Sequence, residues 1–183
     1  MTPPLTVAEV VALSGMDEGP VRKDVELGLC GPDTPPTFTL NDLVYFRTLT
    51  LIDIQLGVED RRKIHTLISK SLRLGKPANV EMGPVLELKL AKVAKEVTET
   101  LDRFTAWKKK IVVNPKILGG EPVFPNTRLS VRHIGSLVMN EGLDEIHEDY
   151  PYLSEKDIEF ARLYTLAYPK RGRPRTGKAS TER

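Results

Sequence analysis

Along most of this chain apolar residues return every three or four positions, and in one stretch they alternate. The pattern predicts a mainly α protein with one small β-hairpin. The first helix follows Thr6, a natural N-cap because Glu9 three residues on completes a capping box, with Val7, Val10, Val11 and Leu13 on the apolar face. Ser14-Gly15-Met16 turns the chain into a second helix that Asp17 can cap. Pro20 falls in its first turn, where a missing N–H costs little, and Val21, Val25 and Leu27 supply the inward face. Gly28 ends this helix. Cys30-Gly31-Pro32-Asp33-Thr34-Pro35-Pro36 holds too many breakers for a helix or a central strand, so it reads as a loop or wing tip that Phe38 closes.

A third helix starting near Thr39 or Asn41 has Leu43, Val44, Phe46, Leu49, Leu51 and Ile52 as its expected buried set and breaks at Leu56-Gly57. A fourth runs from near Glu59 through Ile64, Leu67 and Ile68 to Gly75-Lys76-Pro77. Between Asn79 and Leu90, Leu86, Leu88 and Leu90 share one face and Glu87 and Lys89 the other, with a turn at Gly83-Pro84, which is hairpin patterning. From Ala91 to Trp107, Val93, Val97, Leu101 and Phe104 recur at helical spacing; this helix is expected to link two domains and to be of a kind that dimerises. A brief strand at Ile111 to Val113 precedes a turn-rich segment reaching Asn126, and helices resume at about Val131. They form a three-helix unit over residues 133–140, 143–149 and 154–167, the last opened by Ser154-Glu155-Lys156-Asp157, a capping box with Asp in place of Glu. The expected organisation is a winged helix-turn-helix over residues 1–76, a hairpin and linker helix over 77–110, a helical C-terminal domain, itself helix-turn-helix-like, over 111–168, and a basic disordered tail over 169–183.

Composition narrows the classes. At 183 residues and 40% hydrophobic content the chain has enough apolar side chains for real cores. Its longest largely apolar runs, Leu49 to Ile52 and Ile111 to Val113, are far too short to span a membrane, and Met1-Thr2-Pro3-Pro4 lacks the features of a signal peptide, so a cytoplasmic location is expected. Cys30 is the single cysteine, and His65, His133 and His147 are scattered, so neither a disulfide nor a metal or other cofactor is expected. Charge is uneven. The tail holds Lys170, Arg171, Arg173, Arg175, Lys178 and Arg183 against Glu182, in a chain whose formal charge is only +2, so residues 1–168 are net acidic and attraction to a polyanion starts at the tail.

The first 75 residues resemble the MerR superfamily. Gly15-Met16-Asp17 matches that family's turn, Val21-Arg22 the leucine-arginine of its recognition helix, and Leu27-Gly28-Leu29 the motif that closes this helix. Phe38-Thr39 falls at the wing tyrosine, and Leu56-Gly57-Val58 followed by an acidic-then-basic helix is similar to the second helix pair. The resemblance implies a helix whose N-terminus enters the major groove while the wing grips phosphates, with Arg22 and Lys23 as candidate contacts. Where the family carries two aromatic residues after the arginine, this chain has Lys23 and Asp24. Arg61 and Arg62 are candidates for backbone contact, against the alternative of a solvated helix face.

A second motif, Gly119-Gly120-Glu121-Pro122-Val123-Phe124-Pro125-Asn126-Thr127-Arg128-Leu129-Ser130-Val131, resembles a small prokaryotic domain of unknown function found in VapB-like antitoxins, whose signature runs Gly-Gly-x-Pro-x-x-x-Gly-Thr-Arg-x-x-Val. The resemblance extends over about residues 110 to 168 and includes Asp149-Tyr150-Pro151-Tyr152-Leu153. Asn126 stands where that family has glycine, and Asn is the residue best able to replace glycine at positive φ. The loop lacks a Gly-Lys-Ser/Thr ending, so Gly119, Gly120, Pro122, Asn126, Thr127 and Arg128 are assigned to structure. Thr127 and Arg128 are expected to pin the loop onto the first helix of this domain, with Arg128 paired to Glu148 or Asp149.

Pro169-Lys170-Arg171-Gly172-Arg173-Pro174-Arg175 is similar to an AT-hook, in which glycine lets an extended chain sit deep in the minor groove and the flanking cations follow it. The alternative is a merely solvated tail. The VapB resemblance implies another partner, a PIN-like ribonuclease toxin, whose metal-binding carboxylates Arg171, Arg173 and Arg175 could occupy with bidentate hydrogen bonds. The resulting expectation is an antitoxin, not an enzyme, that neutralises such a toxin and binds double-stranded operator DNA as a homodimer. Its rival is a stand-alone MerR-like regulator with a ligand-sensing C-terminal domain.

Overall fold

A computed structural model of the chain describes residues 3–52, 56–75, 79–82, 86–141 and 143–170. Among them the protein is mainly α, with helices α1 (Val7–Ser14), α2 (Glu18–Glu26), α3 (Leu40–Leu51), α4 (Val58–Arg73), α5 (Leu90–Lys110), α6 (Val131–Asn140), α7 (Leu143–Asp149) and α8 (Glu155–Ala167). A two-stranded antiparallel hairpin, β1 (Val80–Met82) and β2 (Leu86–Leu88), pairs Val80 with Leu88 and Met82 with Leu86. Its expected Gly83-Pro84 turn lies outside the described residues.

Local chemistry sets the helix ends. Thr6, Thr39 and Ser154 each cap a helix through a complete capping box, closed by Glu9, Asp42 and Asp157, so two donors that a helix start would leave orphaned are satisfied at each. Asp17 occupies the N-cap position of α2 without a side-chain cap bond. At the far end of α2, Gly28 takes φ 64°, and the Leu29 amide donates back to the Asp24 carbonyl at 2.9 Å.

The central element is α3, which packs on α1, α4 and α5. Helix-period patterning therefore fails for it: Leu43, Val44, Tyr45 and Phe46 are all buried, on every side of the helix. Leu51, expected inside, is 53% exposed, because it is the last residue of the helix and projects past the neighbours that cover the earlier turns. The apolar stripe of α5, with Leu90, Ala94, Val97, Leu101 and Phe104 buried, is covered within the same chain by α1, α3 and α8. One apolar cluster runs without a break from Leu5 to Ala167. In its C-terminal part α6 lies closest of all against α8, at Gly135.

Candidate nucleic-acid interface

Helix α1, the Gly15 turn at φ 73° and helix α2 form the two-helix unit that the sequence implies. Behind them the loop over residues 27–38 returns to pair with the chain start: the Leu5 amide donates to the Phe38 carbonyl at 2.8 Å, and the Phe38 amide returns a bond of 2.9 Å. Cys30 faces inward, and burial, with Asp42 and Asp24 nearby, pushes its thiol up to about 12, so it stays protonated and unreactive.

On α2, Arg22 and Lys23 are both exposed, on the side turned away from the core. Each has an acidic neighbour one turn away. The Arg22 Nε donates to Glu18 at 2.6 Å, and Lys23 Nζ lies 3.6 Å from Glu26. These are solvent-exposed pairs of low worth, so either cation can leave its carboxylate for another partner at little cost.

Asp24 has a different role from its neighbours. It is buried at 1% exposure, accepts from the Tyr45 hydroxyl at 2.7 Å, and pairs with the Arg61 guanidinium. This network ties α2 to α3 and α4. Arg61 is accordingly neither a free backbone contact nor part of a solvated face: its side chain is 17% exposed, and its buried Nε has no hydrogen-bond partner among the described residues. Arg62 remains exposed. Nearby, the His65 Nε2 and the Asp42 Oδ1 are 2.8 Å apart, which holds α4 against the start of α3.

A second network joins the two-helix unit to the C-terminal region. Glu9, buried on α1, accepts from the Thr6 amide at 2.9 Å, from Lys108 Nζ at 2.9 Å and from the Tyr168 hydroxyl, while Lys108 also donates to the Tyr168 oxygen at 2.6 Å. Burial alone would raise the Glu9 carboxyl. The bonds from Tyr168, Thr6 and Lys108 outweigh it and hold the group below its ordinary 4.5. Burial and the bond to Glu9 push Tyr168 up to about 12, which keeps it a neutral donor. The capping-box role of Glu9 was legible three residues away; its partners on α5 and beyond α8 were not.

The glycine-rich motif forms a compact loop. Leu118, Gly119 and Gly120 all have positive φ (46°, 67° and 90°), and Asn126 takes φ 59°, as its place in the glycine position implies. Pro122 is buried, and its carbonyl accepts from the Val131 amide at 2.9 Å. Thr127 ties the loop to itself rather than onto α6: its hydroxyl donates to the Phe124 carbonyl at 3.0 Å and accepts from the Leu129 amide at 3.1 Å. Arg128 does not pin the loop either. It is exposed, and among the described residues it pairs with neither Glu148 nor Asp149, because its position after the turn directs it to solvent.

The structural arginine is Arg132. It donates to the Tyr168 carbonyl at 2.9 Å and lies 3.2 Å from Glu121, whose other oxygen is 3.4 Å from Lys170 Nζ. Both the motif and α6 thus grip the root of the tail. Arg171, Gly172, Arg173, Pro174 and Arg175 lie outside the described residues.

Residues 111–165 match a family described as a protein of unknown function (DUF433), in agreement with the reading of about residues 110–168 as a small domain of unknown function. The chain is also 32% identical, over 91 residues, to "Uncharacterized protein y4eO" of Sinorhizobium fredii (strain NBRC 101917 / NGR234), a stretch that covers 49% of this chain and 41% of that protein. The chain thus spans about two fifths of that relative's length. No solved structure matches. Among the described residues no helix is long and apolar enough to cross a membrane.

The carboxylate networks make a pH prediction. Asp42 is held below its ordinary 3.8, where burial, which would raise it, is outweighed by hydrogen bonds from His65 and Thr39; Glu121 is held below 4.5, where burial is outweighed by Arg132 and Lys170. Groups depressed in the folded state contribute stability above their unfolded values and lose it as pH falls through the folded ones. Urea unfolding is therefore expected to give a midpoint that is steady above ~pH 5 and declines below it. Glu9→Gln should be less stable at neutral pH and show a shallower acid decline. A wild-type midpoint unchanged down to ~pH 3 would show that these carboxylates are not held as described.

Proposed function

We propose that this protein is a DNA-binding antitoxin, MerR-like at its N-terminus and VapB-like at its C-terminus, that neutralises a PIN-like ribonuclease and represses its own operon. The observation that carries the reading is the unit α1–Gly15–α2, closed behind by the Leu5–Phe38 pairing, with Arg22 and Lys23 outward on α2 and Asp24 holding that helix from within. A recognition helix needs this combination of an exposed polar face and a fixed angle to its support. Two half-sites imply a homodimer, and the tail beyond Lys170 supplies cations for the minor groove or for the toxin's carboxylates. The protein acts by binding and is not an enzyme.

Co-purification with the product of the neighbouring gene, with and without residues 169–183, tests the antitoxin role. A complex that silences RNA cleavage, and requires the tail, is the expected result. In parallel, Arg22→Ala should weaken binding to the upstream operator by roughly 5- to 150-fold, the worth of one bidentate base contact. No complex in either form, with operator binding retained, would instead favour a ligand-sensing regulator. One observation supports that second reading: an open pocket of about 490 Å³ is lined from α1, α3, α5 and α8, with Arg47, Arg103 and Arg162 among its side chains.

A further inference from the structure

The exposed face of α2 is nearly charge-neutral, since Glu18 faces Arg22 and Glu26 faces Lys23. Such a face can read base edges but contributes little to the sequence-independent attraction that brings a protein to DNA. Cations able to supply that attraction are found at one end of the molecule, where the C-terminus of α5, the first turn of α1 and the end of α8 meet. Helix α5 ends in Lys108-Lys109-Lys110. Lys108 is bound to Glu9 and Tyr168, Lys109 is exposed, and Lys110 lies over the Trp107 ring with Nζ 4.9 Å from its centroid. Successive residues on a helix point about 100° apart, so the three lysines ring the end of α5 rather than lining one side.

Two carboxylates tied to this end of the molecule are already paired: Glu9 with Lys108, which Tyr168 also bonds, and Glu121 with Arg132 and Lys170. Tyr168, the residue that Lys108 grips, is followed directly by Pro169 and Lys170, so a further cation, Lys170, lies two residues from the lysine collar in the chain. The geometry points to the α5 terminus as a phosphate-binding surface for double-stranded DNA, separate from the base-reading face of α2. Lysine suits such a surface, because each ammonium is a point charge on a flexible stem that follows a phosphate strand without fixed geometry, whereas planar carboxylates favour arginine. Lysines at a helix C-terminus also complement its dipole, but that effect acts on folding and leaves the salt dependence of DNA binding unchanged.

This inference rests on the DNA-binding reading, and its test separates the two. Anisotropy of a labelled duplex of arbitrary sequence, titrated with the full chain between ~50 and ~200 mM salt, gives the log–log salt slope. Lys109→Ala/Lys110→Ala is expected to flatten the slope by about two units, ~0.9 for each phosphate lost, and to weaken binding roughly 60-fold at about 0.1 M salt. Because Lys110 covers Trp107, Lys109→Ala alone provides a check that does not disturb packing, with about one unit lost. Unchanged slopes in a protein that binds DNA would overturn the collar and leave the DNA reading standing. Absence of wild-type binding even at low salt would remove both. Loss of an acidic partner protein with intact DNA binding would reassign the lysines to that partner and overturn the inference.

Discussion

Gly135→Ala is expected to destabilise the fold by about 3 kcal/mol, at the upper end of what overpacking a core costs. The added methyl would clash with the Ala161 carbonyl oxygen and the Thr165 hydroxyl and would stand 2.8 Å from the Ala161 carbonyl carbon. The Thr165 side chain can rotate away, but the α8 backbone cannot, so α6 and α8 have to separate along their whole contact. For a chain of this size ~3 kcal/mol corresponds to a melting temperature lower by roughly 6–12 °C. Thr165→Ala in the same background should recover only part of the loss, because the carbonyl clash remains. A Gly135→Ala protein that melts with the wild type would show that the two helices are not in the close contact described.

Nothing around Gly135 signals this constraint in the sequence. A glycine inside a helical pattern reads first as a weak spot for the helix, and the partner that excludes a side chain lies 26 or more residues away on α8. What was legible is what is local. Thr6 with Glu9 and Ser154 with Asp157 declare helix starts because cap and partner sit three residues apart, and Asn126 declares a left-handed turn by its chemistry. Residues read as bystanders by type alone proved to be the connectors. Asp24 was a poor base-reading residue until Arg61, 37 positions later, came to it, and Glu9 was only a capping-box member until Tyr168 arrived from 159 positions away. Arg128 erred in the opposite sense: a motif arginine invites an ion pair, yet Arg132, one helical turn further, makes it. Sequence spacing identifies which residues can satisfy a backbone; it carries no record of which distant side chains converge on a buried charge.

That convergence makes Asp24→Ala the larger of the two expected effects. The substitution leaves the Arg61 guanidinium mostly buried without its counter-charge and the Tyr45 hydroxyl without its acceptor. Breaking a buried pair from one side costs about 3–5 kcal/mol, chiefly the desolvation of the charge left behind. Thermal melting should therefore fall by ~6–20 °C. The pair itself is less valuable than this cost suggests, since burying both ions has already consumed most of their attraction. Replacing both, as Asp24→Leu/Arg61→Met, should therefore restore much of the lost stability. The double variant also separates support from recognition. Arg22 and Lys23 remain on the surface of α2, but the helix is no longer fixed to α3 and α4 by a directional network. If the protein binds an operator as proposed, that affinity should then fall more than stability does, with arbitrary-sequence binding nearly unchanged. If the double variant is as unstable as Asp24→Ala, the loss came from packing around residue 24 and the ion pair is not what positions α2.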